Sequence, residues 1–257
     1  MHTAKLIIEL TNDIIFKYAV IFCRVGSVLL LLPGLGETYV SARSRLALAL
    51  MLSLVFYPLL ESVIPSNPPS VEATVIYCFK EVTIGIFFGL LTRIIISTLH
   101  IAGMKISFMN GLSAATLFDT NQASQGSVIG VFLSLIAFTV FFTTGMHKIF
   151  FAGIYESYQV IPVNQPLPIE DFAYLSTQFM SEAFMMAFKI ASPIIVIGLL
   201  LYVAAGLISR LMPSMQVFFV LAPVQISVSF FILMLCISTS MMVYLNFFED
   251  KIISLFQ

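Results

Sequence analysis

Residues 73–99 read ATVIYCFKEVTIGIFFGLLTRIIISTL. About 20 predominantly apolar residues are enough for a helix to cross the hydrocarbon core of a bilayer. This stretch is longer than that and admits only three charges, Lys80, Glu81 and Arg93. It is apolar on every face, which is the pattern of a buried or membrane helix and not of a surface helix. Gly85 and Gly89 stand four apart within it, a spacing that lets a second helix backbone come close.

Working outward, the same pattern recurs along the chain. Residues 14–32 form an apolar run broken by Lys17 and Arg24, and it ends at the turn signal Pro33-Gly34-Leu35-Gly36. Residues 44–60 follow, entered through Arg43 and Arg45. Further runs cover 128–146, 183–209 (with Lys189 and Pro193) and 215–248. No charge occurs between Arg210 and Glu249, a length that exceeds one simple span and predicts a kink at Pro223 or a protrusion from the bilayer. Between the runs lie a proline-rich linker at 61–72, a mixed segment at 100–127 and an acid-rich polar loop expected over 147–182. The fold class read from this is an all-α membrane protein of about six long, kinked hydrophobic helices, forming one integral membrane domain over residues 1–257.

Composition agrees. Hydrophobic types make up 60% of the 257 residues, against about 45–50% in soluble domains. Charged types make up 10%, against about 25%. Mean hydropathy is +1.04. A soluble enzyme, a nucleic-acid binder and a disordered chain are all excluded by this balance, and the net charge of −1 offers nucleic acid nothing to hold. Cys23, Cys78 and Cys236 sit inside apolar runs and read as packing residues. The three histidines, His2, His100 and His147, lack metal-ligand spacing, and no catalytic or phosphate-binding motif is present. No catalytic residue, metal or other cofactor is therefore expected. The leading segment, with Lys5 offset by Glu9 and Asp13, reads as the first membrane segment and not as a cleaved signal. With the N-terminus outside, Arg43, Arg45, Lys105 and Arg210 fall inside and Lys5, Lys148 and Lys251 outside, a nearly even balance.

Two sets of residues stand out as candidates for function. The first is the set of charges within apolar runs: Lys17, Arg24, Lys80, Glu81, Arg93 and Lys189. Each either snorkels from near a helix end or faces a protein interior or a partner chain. Adjacent residues on a helix point about 100° apart, so Lys80 and Glu81 do not pair with each other. Glu81 then needs Arg24, Arg93 or another chain. It is the one centrally placed acid, too few for a proton relay.

The second is the segment 103–130, GMKISFMNGLSAATLFDTNQASQGSVIG. Two readings stand for it. It is a polar loop between two spans, or it is a non-helical element buried in protein at membrane depth, with Phe108, Met109 and Phe118 closing a narrow passage. Gly126 and Gly130 repeat the close-approach spacing, and Arg210-Leu-Met-Pro213 marks a tight turn.

The pattern from Arg24 through Leu29-Leu-Leu-Leu-Pro33-Gly-Leu-Gly36 to Val40-Ser-Ala-Arg43-Ser-Arg45 resembles the start of the FliR family of type III secretion export-gate proteins. Lys80-Glu81-Val82-Thr-Ile-Gly85 with Gly89 and Arg93 is similar to the family's E-x-x-I-G-x-x-x-G segment. Met109-Asn110-Gly111-Leu112 through Ala115 to Phe118-Asp119 resembles its M-G-L-x-x-A-x-x-x-D-P segment, with Thr120 where the family has proline. Leu207 to Phe218, containing Arg210 and Pro213, is similar to L-x-x-R-x-x-P-Q-x-x-V-F.

The resemblance implies a non-enzymatic gate subunit. It would be present in one copy with five FliP-like and four FliQ-like subunits, alongside an FlhB-like subunit, passing unfolded export substrates. It implies a FliP-like part over 1–180 and a FliQ-like helical hairpin over 181–257. It places a channel plug at Phe108, Met109, Asn110, Gly111, Leu112, Phe118 and Asp119. Helix or subunit contacts are expected at Lys80, Glu81, Gly85, Gly89, Arg93 and Arg210. The location implied is the bacterial inner membrane within the flagellar basal body, partly above the bilayer on the exterior side and in contact with lipid. A virulence-type secretion gate subunit is the nearest alternative, and a small-molecule membrane transporter is an alternative of another class.

Overall fold

Serines mark three of the helix starts. A helix leaves its first amides without internal partners, and a side-chain oxygen just ahead of it can accept from one. Ser41 accepts from the Ser44 amide at 3.1 Å, Ser70 from that of Ala73 at 3.2 Å and Ser127 from that of Gly130 at 3.1 Å. A computed structural model describes residues 2–32, 40–65, 70–112, 127–212 and 217–255, with side chains from residue 11 onward except at 218–220.

The described residues form seven helices: α1 (His2–Leu31), α2 (Ala42–Leu60), α3 (Val71–Met109), α4 (Val128–Thr143), α5 (His147–Val160), α6 (Ile169–Leu211) and α7 (Val217–Ser254). Five are long and apolar enough to cross a membrane: α1 from Thr11, α2, α3, α6, and α7 from Leu221. Helices α4 and α5, interrupted at 144–146, together make a sixth candidate, as a broken span or a re-entrant element. The interruption carries Gly145 at φ +77°, a conformation that costs a residue with a Cβ about 1–2 kcal/mol. The all-α reading with five to six apolar helices is thus the observed architecture.

Two sequence expectations change. Residues 147–160 are helical, not part of a polar loop, and α6 begins at Ile169, well ahead of residue 183. Glu170 and Asp171 lie in the first turn of α6, where acids suit the positive end of the helix dipole. The mixed segment after residue 99 continues α3 as far as Met109. Both differences share a cause: lone polar residues on a helix face interrupt the apolar run without interrupting the helix.

The chain divides into two compact units. The first holds residues 1–95, 145–179 and 250–257. Here α1 packs on α2 and on the first part of α3, with the Phe16 and Tyr77 rings edge to face at 5.9 Å. The Phe87 and Phe172 rings stack at 3.8 Å. Val28, Phe88, Phe150, Ile154, Ile252 and Leu255 converge around a small void, so the final residues of α7 belong to the packing of this unit. The second unit holds residues 96–144 and 180–249. In it the Phe141 and Phe248 rings meet at 5.3 Å, and the Lys105 ammonium lies 5.1 Å from the centre of the Phe188 ring.

Candidate functional site

The first candidate site lies in the first unit and is built around Arg24, which is fully buried, as is Glu81. Arg24 sits on α1 and Glu81 on α3. The guanidinium holds the carboxylate at two points, Nε donating to Oε2 at 2.5 Å and Nη2 to Oε1 at 3.0 Å. Its other donors go to backbone: Nη1 to the Ser157 carbonyl at 2.8 Å and Nη2 to the Ile161 carbonyl at 3.0 Å. Nη1 also lies 3.2 Å from the Ser157 hydroxyl, and the guanidinium stacks 3.9 Å from the centre of the Tyr158 ring. A buried ion pair holds only when its geometry is good and the remaining donors are satisfied. Arginine's planar fork meets both conditions here, where a lysine would present a point charge. The pair ties α1, α3 and the end of α5 at one place.

Lys80, the neighbour of Glu81, serves the same region from a different angle. Its ammonium donates to the Val163 carbonyl at 2.7 Å and also to that of Gln165. Arg24 and Lys80 between them therefore bind carbonyls at the end of α5 and in the connection to α6. The Ser157 carbonyl also accepts from the Ile161 amide at 3.0 Å, and the Ile161, Val163 and Gln165 carbonyls lie past the end of α5. Lys80→Met keeps the stem and removes the donors. The expected result is a loss of about 1–3 kcal/mol and faster proteolytic cutting at 161–168, read on purified protein in detergent. An unchanged cutting rate would remove this role from Lys80.

Close packing of α1 on α3 explains the two spaced glycines. A Cβ on Gly85 would stand 2.5 Å from the Arg24 carbonyl and run into the Ser27 hydroxyl. One on Gly89 would stand 2.7 Å from the Leu31 Cβ. The glycine pair thus brings α3 against α1 within this chain, at the level where Arg24 reaches Glu81.

The second candidate site lies in the second unit, where α3 ends and α4 begins. Gly103 of α3 and Gly130 of α4 put their backbones in contact, so a Cβ on Gly103 would overlap Gly130 itself. One turn further along α3, the Ser107 and Ser127 hydroxyls hydrogen-bond at 2.7 Å, both residues buried. Gln225 of α7 donates to the Met109 carbonyl, one of the last of α3. Asn110 is buried, and its Oδ1 has no partner among the described residues. Gly111 then turns the chain at φ +72°, with no atom of the described residues within 4 Å of where a Cβ would be.

The sequence candidates are placed as follows. Glu81 finds Arg24, one of the partners expected for it, and Lys80 binds loop carbonyls. Lys17 pairs with Asp13 on its own helix at 2.9 Å. Arg93, Lys189 and Arg210 are exposed. Phe108 is 65% exposed, Met109 and Leu112 are half-buried, and Phe118 and Asp119 lie outside the described residues. Gly126, Pro213 and the turn at Pro33 to Gly36 also lie outside them. Sequence reasoning missed Ser157, Tyr158 and Ile161, which fell in the expected loop. It also missed Gly103, Ser107, Ser127 and Gln225 as a group. Ser127 ahead of an apolar run was a readable cap signal, and Gln225 is a lone amide in a charge-free stretch.

The family described as bacterial export proteins, family 1, matches residues 15–251. The chain belongs to this family. Among relatives of this bacterial export protein is the flagellar biosynthetic protein FliR of Caulobacter vibrioides, 31% identical over 92% of this chain and 94% of its own length. The flagellar biosynthetic protein FliR of Bacillus subtilis is 30% identical over 92% of each chain. The Yop proteins translocation protein T of Yersinia pestis is 25% identical over 90% of this chain and 89% of its own. The resemblance read from Arg24, Glu81, Gly85 and Arg210 therefore extends over nearly the whole length of this export protein, both candidate sites included.

Proposed function

We propose that the chain is a non-enzymatic subunit of the protein-export gate of a flagellum, in the bacterial inner membrane. The observation that carries this is the full-length similarity to relatives named flagellar biosynthetic protein FliR, at 30–31% identity. Five to six helices of membrane length agree with it. The virulence-type alternative rests on a relative at 25% identity and is the second choice for that reason.

In this reading the chain joins FliP-like, FliQ-like and FlhB-like partners, one copy with five and four of the first two, and unfolded substrates pass through the shared channel. Residues 1–180 act as the FliP-like part and 181–257 as the FliQ-like hairpin. Phe108 to Asp119 contribute the plug. Arg93 and Arg210 meet neighbouring subunits in this reading, which their exposure in the chain's own fold supports. The weakly covered faces of α6 and α7 support an assembled state: only 28% and 11% of their apolar windows are buried in the chain's own fold. Partner helices and lipid would cover the rest.

The test is co-expression with the FliP-like and FliQ-like proteins of the same genome, a tag on this chain and native mass spectrometry of what it retains. One copy of this chain in a mixed assembly is expected. A stable assembly of this chain alone would sink the gate reading and favour a small-molecule transporter. Deleting residues 109–115 in the intact assembly is expected to raise ion leak through the membrane; unchanged leak would remove the plug.

A further inference from the structure

The junction of α3 and α4 is held more firmly than a turn between two helices requires. Three independent contacts lie within two turns of helix. Gly103 meets Gly130 backbone to backbone, leaving no side chain whose rotation would separate them. Ser107 bonds Ser127 inside the fold, and opening that contact would leave the buried Ser107 hydroxyl without this partner. The Ser127 oxygen also accepts from the Gly130 amide, so the same hydroxyl caps α4 and ties its start to α3. From a third helix, Gln225 holds the Met109 carbonyl. Immediately past these contacts Gly111 sits at φ +72°, and no atom of the described residues lies within 4 Å of where its Cβ would be.

We propose that this junction is a clasp that stays closed while substrate passes, with Ser107, Ser127 and Gln225 as positioning residues. The first place where the backbone turns without breaking the clasp is Gly111. Gating then leaves the α3–α4 packing intact; a gate that worked by drawing α3 and α4 apart would have to break both the Gly103–Gly130 and the Ser107–Ser127 contacts, while Gln225 holds the end of α3 to α7. The functional part of this proposal rests on the export-gate reading.

The test is a Ser107→Cys, Ser127→Cys double variant in the full assembly, with Cys23, Cys78 and Cys236 replaced by alanine. Diamide takes two hydrogens from the thiol pair and is itself reduced to the hydrazine as the disulfide forms. Cross-linking yield is read by mass spectrometry of the peptide pair. A majority of chains cross-linked within minutes is expected, and a minor fraction would overturn the clasp whatever the protein's function. Export of substrate into the medium is then compared with that of the equally treated Ser107→Cys variant, in cells lacking their own copy of the gene. Export within threefold of that control is expected. A larger loss would show that α3 and α4 must part. Failure of the unmodified chain to restore export to those cells would instead count against the export-gate reading, while the cross-linking yield would still decide the clasp on its own.

Discussion

Glu81→Ala is expected to cost about 3–5 kcal/mol, because it leaves the Arg24 guanidinium buried without a counter-charge. That is a large share of the roughly 5–15 kcal/mol that holds a typical domain together. Little folded protein should then remain in the membrane, measured as the detergent-soluble monodisperse fraction after purification. Arg24→Ala should do at least as much harm, since it also strips the Ile161 carbonyl of its donor. The double change Arg24→Leu with Glu81→Leu should lose less than the two single losses added, because no uncompensated charge remains. Exchanging the charges, Arg24→Glu with Glu81→Arg, should not rescue: a carboxylate at position 24 would face the Ser157 and Ile161 carbonyl oxygens, which repel it, and the Ile161 carbonyl would lose its donor. Rescue by the exchange would mean that net neutrality is what matters and that the carbonyl contacts contribute nothing.

The second large effect is expected at Gly103→Ala. A single methyl there must occupy the position of the Gly130 backbone, and backbone cannot step aside as a flexible side chain can. Overpacking in a well-filled interior costs about 1–3 kcal/mol, and a backbone obstacle puts this case at the upper end or beyond. Gly130→Ala is expected to be milder, since its Cβ would meet the His100 carbonyl at 3.1 Å and ring nitrogen at 3.2 Å, close but adjustable. The ordering is the test: thermal unfolding of the purified assembly should start at lower temperature for Gly103→Ala than for Gly130→Ala. Equal or reversed values would mean that α3 and α4 can separate without loss.

Membrane helices announce themselves through length and hydropathy, so α1, α2, α3, α6 and α7 are legible in the sequence. The partner of Glu81 narrows to a few arginines, because a buried acid in an apolar run must find a cation. What resists reading is contact to backbone. Nothing in the residue types at 157–165 reveals that carbonyls there will receive Arg24 and Lys80, since every residue carries the same carbonyl. The Gly103–Gly130 contact is hidden for a related reason. The close-approach spacing is visible when two glycines share a helix, as Gly85 and Gly89 do, but not when each helix contributes one. Residues 147–160 pass for a loop because their charges and tyrosines lower the hydropathy, although a helix tolerates them on one face.

The position of Arg24 near the start of the chain sets a schedule for synthesis. Glu81 follows it by 57 residues and Ser157 by 133. At about 5–20 residues per second, the carboxylate arrives roughly 3–11 s after the arginine, and the last carbonyl acceptors after roughly 7–27 s. During that interval α1 carries an unpaired charge, which at the centre of a bilayer would cost about 2.5–3.5 kcal/mol. A nascent α1 held shallow until α3 emerges would avoid that cost. Insertion of α1 and α3 would in this sense be one event separated in time, with the pace of translation between residues 24 and 81 setting the interval.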